Sequence, residues 1–164
     1  MPVPDEALVR YLRRSYQAVD GLWFMTAEQA GDFGQALELD RRVWEVLAKL
    51  QARQAREVLG CSGMTPEDLA RCLELKLTAD GHDFELTVEP GEVRVTVRTC
   101  RWLELLRKSG RDHLALQVAR TICPLEGEVW CREFGGEYDF EMPQMACAGA
   151  SECLMRYVRR SAPA

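Results

Sequence analysis

Apolar positions along the chain first recur at helical spacing, then alternate, then return to helical spacing before a final alternating stretch. After Pro4, the residues Leu8, Tyr11, Leu12 and Val19 share one helical face with small Ser15 and predict a buried stripe. Asp20-Gly21 predicts the end of that helix. The run Leu22-Trp23-Phe24-Met25 is too short for a helix of its own and predicts a core anchor between two helices. Asp32 has the chemistry of an N-cap and opens a helix predicted to reach about Leu59. Its expected buried stripe is Ala36, Leu39, Val43, Leu47 and Leu50, with Glu38–Arg42 and Glu45–Lys49 paired on the wet side. Thr65-Pro66-Glu67-Asp68 is a third start: a cap, a proline at the first helical position and acids in the first turn.

The period then shortens. Phe84, Leu86 and Val88 alternate with polar residues, Glu89-Pro90-Gly91-Glu92 turns the chain, and Val93, Val95 and Val97 alternate again. That pattern is a β-hairpin with one buried face. Helical spacing returns over Arg101–Lys108 and after Asp112, and Cys123-Pro124 predicts a helix boundary, because the residue before proline is pushed out of helical geometry. Tyr138, Phe140 and Met142, then Cys153–Val158, alternate once more. The expected fold is α+β over a single domain, 1–164, mainly helical over 1–60, with a helix and two hairpins over 65–160. Strands near 83–88, 93–99, 137–142 and 152–159 are expected to join as one four-stranded antiparallel sheet covered by the helix over 32–59.

Composition narrows the function. A net charge of −5 argues against a nucleic-acid surface. No window approaches the roughly 18 apolar residues of a membrane span. With seven cysteines and no secretory pattern at the start, the expected setting is a reducing cytoplasm with free or metal-bound thiols.

The densest grouping of candidate chemistry is Arg98–Phe134, which holds Cys100, Cys123 and Cys131. A thiol at the start of a helix faces unpaired N–H groups and the positive end of the helix dipole, so Cys123 is predicted to be the most readily ionised thiol and the candidate nucleophile. Gly127, one turn on, leaves room for a ligand or a close-packed neighbour, and Trp130 and Cys131 complete a predicted ligand-binding set with Cys100 and Cys123. Cys100 with Cys123 is also the candidate metal pair. Cys123 and Cys131 in one continuous helix would stand about 12 Å apart, too far to share an ion. His82 and His113 sit in turn-like contexts and read as surface or capping histidines. Packing alone would equally explain all the cysteines.

Near the C-terminus, Gly149-x-x-x-Cys153-x-Met155 resembles the closing motif of 4-vinyl reductase domains and of L-2-amino-thiazoline-4-carboxylate hydrolase-like proteins. Val19-Asp-Gly-Leu-Trp-Phe24 and Cys123-Pro124 resemble an uncharacterised bacterial and archaeal family associated with them. The resemblance implies a NO-signalling/Golgi-transport-like ligand-binding fold, a homodimer, and a pocket for a small molecule, with a tetrapyrrole or metal-containing group as one kind of ligand. Three functions follow as expectations: a ligand-binding or sensor module with a cysteine-lined pocket, a thiol-dependent hydrolase or transferase, or a structural and interaction protein.

Overall fold

The computed structural model of the chain describes residues 2–160. Helix α1 (Asp5–Ala30) does not stop at Asp20-Gly21 but runs through the Leu22–Met25 segment to Gly31. An interior glycine weakens a helix by only about 1 kcal/mol relative to alanine, too little to end α1 at Gly21. Asp32 then caps α2 (Phe33–Leu59) by accepting the Gln35 N–H at 2.8 Å, and Thr65 caps α3 (Pro66–Asp80) by accepting the Asp68 N–H at 3.2 Å.

The hairpin follows, as β1 (Asp83–Glu89) and β2 (Glu92–Thr99). Helix α4 (Arg101–Lys108) and a single 3₁₀ turn at Asp112–Leu114 lead into α5 (Ala115–Glu133). The chain closes with β3 (Tyr138–Gln144) and β4 (Cys153–Arg159). The four strands form one antiparallel sheet in the order β1-β2-β4-β3. The fold is α+β.

Register assigns the sheet's two faces. Val93 pairs with Tyr157, Val95 with Met155 and Val97 with Cys153, so these six side chains share the inner face. The opposite face carries Arg156, which bridges Glu92 at 2.6 Å and Glu141 at 2.7 Å. The inner face is covered by α3 and α5, not by α2 as expected. Helix α2 forms the next layer out, packing on α5, α3 and α1.

The buried faces of α1 and α2 also differ from expectation. Leu8, Tyr11, Leu12 and Val19 are exposed, as are Leu39, Val43 and Leu50, while the buried side of α2 is Ala36, Leu37, Asp40, Trp44, Ala48, Ala52 and Ala55. Each of these helices has two apolar sides. Small alanines let α2 approach α5 closely, and close packing, rather than the size of the hydrophobe, selects the inner side.

Candidate functional site

Cys123-Pro124 does not begin a helix. Helix α5 passes straight through Pro124, so Cys123 lies in its interior, in its third turn. A proline there removes one backbone hydrogen bond; Ile122, Val129 and Trp130, all buried, hold the helix together on both sides. The expected dipole effect on the thiol is therefore absent. Burial, with the negative charge of nearby Glu126 second, pushes the Cys123 thiol well above its ordinary pKa. It is neutral at physiological pH and is not an activated nucleophile.

Cys123 instead belongs to a wall. Helices α1, α2, α4 and α5 enclose a half-open cavity of about 570 Å³, and the β3–β4 connection and the start of β4 close one side of it. Cys100 and Cys123, distant in sequence, meet there with Cys147 and Cys153. Burial raises the pKa of all four thiols. The Cys153 sulfur accepts the Ala146 N–H at 3.2 Å, which fixes the turn carrying Cys147. Apolar side chains supply most of the remaining lining, among them Leu103, Leu106, Val118 and Ile122, with Phe24 and Met25 of α1 opposite. Of the Leu22–Met25 run, expected as a core anchor, Leu22, Phe24 and Met25 thus line the cavity, and Trp23 is exposed.

Gly127, Trp130 and Cys131 are not part of the site. Along an unbroken helix they stand roughly 6–12 Å beyond Cys123, past the end of the cavity, in the core between α5, α3 and the sheet. Gly127 faces the ring of Phe140, so its missing side chain admits a close-packed neighbour and not a ligand. Trp130 is fully buried and stacks on Phe134 with ring centres 6.1 Å apart. Burial pushes the Cys131 thiol up to about 12.

Cys100 and Cys123 do come together, but two thiols are half of a tetrahedral set. Among the described residues no group of three or more His, Cys, Asp or Glu side chains is arranged to hold a metal. Neither histidine lines the cavity. His82 is buried against the start of α4, where its Nδ1 accepts the Arg101 N–H at 3.1 Å, and burial holds its pKa down at about 4.

Two further features escaped sequence reasoning. Asp20 on α1 and Asp40 on α2 both line the cavity, on either side of Trp44. Behind the cysteine wall lies a buried ion triad. The Lys76 ammonium is 2.7 Å from Glu126 and 3.2 Å from Asp80, with the Lys76 side chain 9% exposed. Neither feature has a motif. Asp20-Gly21 reads as a helix end, and Lys76 is a single lysine on α3 whose partner Glu126 lies far along the chain.

The model of a family of unknown function (DUF6125) matches residues 6–122. The chain belongs to that family. The match spans α1 to the first turns of α5 and includes Asp20, Asp40 and Cys100, while Cys123, Cys147 and Cys153 lie outside it. No curated protein matches the chain. No helix among the described residues is long and apolar enough to cross a membrane.

Proposed function

We propose that this protein is a small-molecule-binding or sensor module whose ligand occupies the cysteine-walled cavity between α1, α2, α4 and α5. The observation that carries this reading is the cavity itself. At about 570 Å³ it falls in the range of pockets that enclose drug-sized ligands, and its lining is apolar with a few convergent polar groups. A ligand entering it would release water from a largely apolar wall, a favourable transfer. The resemblance of the Gly149–Met155 segment to 4-vinyl reductase domains points the same way. A thiol-dependent hydrolase is the weaker reading, because burial raises the pKa of the cavity thiols and neither histidine lines the cavity.

Filling the cavity tests the proposal. Ala119 lines it, and Ala119→Phe would project a ring into the space that the body of a ligand needs. The wild-type protein is expected to carry or take up an apolar small molecule, seen by native mass spectrometry, and occupancy should slow alkylation of Cys100, Cys123, Cys147 and Cys153. Ala119→Phe should lose at least nine-tenths of that uptake while keeping its helical circular dichroism. Uptake unchanged by Ala119→Phe would place the ligand elsewhere and overturn the reading.

A further inference from the structure

The two carboxylates in the cavity have no cationic partner. Asp40 is 4% exposed, and among the described residues no lysine, arginine or histidine lies within ion-pair distance of Asp20 or Asp40. Their shared neighbour is the Trp44 indole N–H. The cavity arginines are engaged or peripheral: Arg101 holds Glu104 at 2.9 Å, Arg111 holds Glu28 at 2.6 Å, and Arg14 is exposed at the mouth. Aromatic rings stand beside the carboxylates. Trp44 meets Trp102 edge-to-face at 5.5 Å, and Phe24 meets Phe33 at 5.8 Å, all four lining the cavity. Buried carboxylates without counter-ions, set among indole and phenyl rings, attract a cation by charge and by ring quadrupole together. An anion would be repelled, and a neutral ligand would leave the carboxyls unmet.

We propose that the ligand is a lipophilic organic cation, an amine or quaternary ammonium on an apolar body, with its cationic end between Asp20 and Asp40 against Trp44 and Trp102. This rests on the cavity being the ligand site. It also carries a pH dependence. Burial raises Asp20 to about 6, and burial plus the charge of Asp20 raises Asp40 to about 7. The other titratable groups around the pair are Tyr16 on α1, which packs on Trp102 and feels the charge of Asp20, Asp80 on α3, which opposes ionisation of Asp20, the three arginines above, and the protonated thiols of Cys100 and Cys123. A fixed cation binds the ionised carboxylates, so its affinity rises as pH increases from about 5 to about 8.

The probes are benzyltrimethylammonium, its neutral isostere neopentylbenzene, and 4-phenylbutyrate, titrated into the full chain by calorimetry. At pH 7.5 the cation is expected to bind at least tenfold tighter than either competitor, and to weaken at least tenfold at pH 5. Asp20→Asn/Asp40→Asn should abolish the preference and leave the neutral probe within about twofold. Equal or tighter binding of the neutral probe, or cation binding that ignores pH in the wild type, overturns the cation assignment while leaving the cavity as a ligand site. Failure of all three probes, together with no uptake lost in Ala119→Phe, overturns both.

A separate observation concerns the outer face of α1 and α2. Leu8, Leu12, Val19 and Leu22 repeat at three- and four-residue steps with Ser15 between them, and Leu39, Val43, Val46 and Leu50 do the same on α2. All eight are between 42% and 66% exposed. The helices run antiparallel, with Phe24 on Phe33 near the turn and Tyr16 within 3.5 Å of Gln51 further along. Helical phase puts both stripes on the side away from α5 and the sheet, with Leu22 at the edge of the α1 stripe, where it also borders the cavity. Heptad-type spacing on two adjacent helices fits another helix pair of the same length. The stripe on α1 spans about 21 Å, and over that length two helices at 8–10 Å spacing present roughly 400 Å², the size of a weak, concentration-dependent interface.

We infer that a second copy of this chain covers the face, forming a four-helix bundle between α1–α2 pairs. Sedimentation at about 50 μM should give a dimer for the wild type and a monomer of unchanged helicity for Leu12→Glu/Val43→Glu. A wild-type monomer, or a dimer that survives the double substitution, overturns the assignment.

Discussion

Replacing Lys76 with methionine is expected to lower stability by about 3–5 kcal/mol, the cost of breaking a buried ion pair from one side. The substitution keeps the volume of the side chain and removes only its charge, leaving the carboxylates of Glu126 and Asp80 inside the protein without their cation. For a chain of 164 residues that is a fall in Tm on the order of 10 °C. Burial alone would lower the lysine's pKa, but the charges of Glu126 and Asp80 outweigh it and hold the ammonium well above its ordinary value. A cation whose pKa is higher folded than unfolded contributes stability that is complete below the unfolded pKa, near 10.5, and is lost only as pH rises past it. The deficit of Lys76→Met should therefore persist from pH 7 to about pH 9.5 in urea unfolding. Adding Asp80→Asn and Glu126→Gln should recover half of it or more, since neutral partners need no counter-charge. A deficit below about 1 kcal/mol would show that solvent reaches the triad.

The triad also separates the molecule's two interiors. On one side, α3, α5 and the inner face of the sheet form a filled core around Trp130, Phe134 and Tyr138. On the other, α1, α2, α4 and α5 surround the cavity. Cys123 sits on the cavity side of α5 and feels the charge of Glu126 from behind. This charged partition lets α5 form part of a dense core over one stretch and a wall of the cavity over the preceding one.

Local signals in the sequence carried most of the fold. The caps at Asp32 and Thr65 are contacts between a side chain and a backbone group three residues away, and the alternation of Val93, Val95 and Val97 follows from the pleat. Such features are determined within a few residues of themselves. What was not legible depends on partners far along the chain. The apolar stripe of α1 was visible, but not that it faces outward, because α1 turns Arg13, Gln17 and Asp20 inward, where Arg13 and Gln17 bond the last carbonyls of α3. The Cys123-Pro124 dipeptide reads as a boundary by local sterics, and tertiary packing overrode it. Cys100 and Cys153 were found as cysteines, but their meeting with Cys123 depends on the sheet register, which pairs Val97 with Cys153. Asp40 and Trp44 lie one helical turn apart, and nothing in their local sequence marks them, because Asp20 joins them only through the packing of α1 on α2.

Gly127 gives the sharpest test of where the core ends and the cavity begins. Had it lined a ligand pocket, a side chain there would remove binding and leave the fold intact. Instead a Cβ would overlap the ring of Phe140, which is held from its other side by Tyr157 at 5.1 Å between ring centres and by its place in β3. Overpacking of this kind costs about 1–3 kcal/mol per intrusion, against a gain of about 1 kcal/mol in helix propensity for alanine over glycine. Gly127→Ala is therefore expected to be destabilising overall, and Gly127→Val, which adds two methyl groups without the same propensity gain, to lose about 3 kcal/mol. The control is Gly21, also inside a helix, where an added Cβ meets nothing within 4 Å. Gly21→Ala should raise stability by about 0.5–1 kcal/mol. Trimming the neighbour, as Gly127→Val/Phe140→Ala, should give less destabilisation than the sum of the two single changes, because the valine would occupy part of the space the ring vacates. Simple additivity in urea unfolding, or a Gly127→Val protein as stable as the wild type, would mean that β3 does not press on α5 at this point.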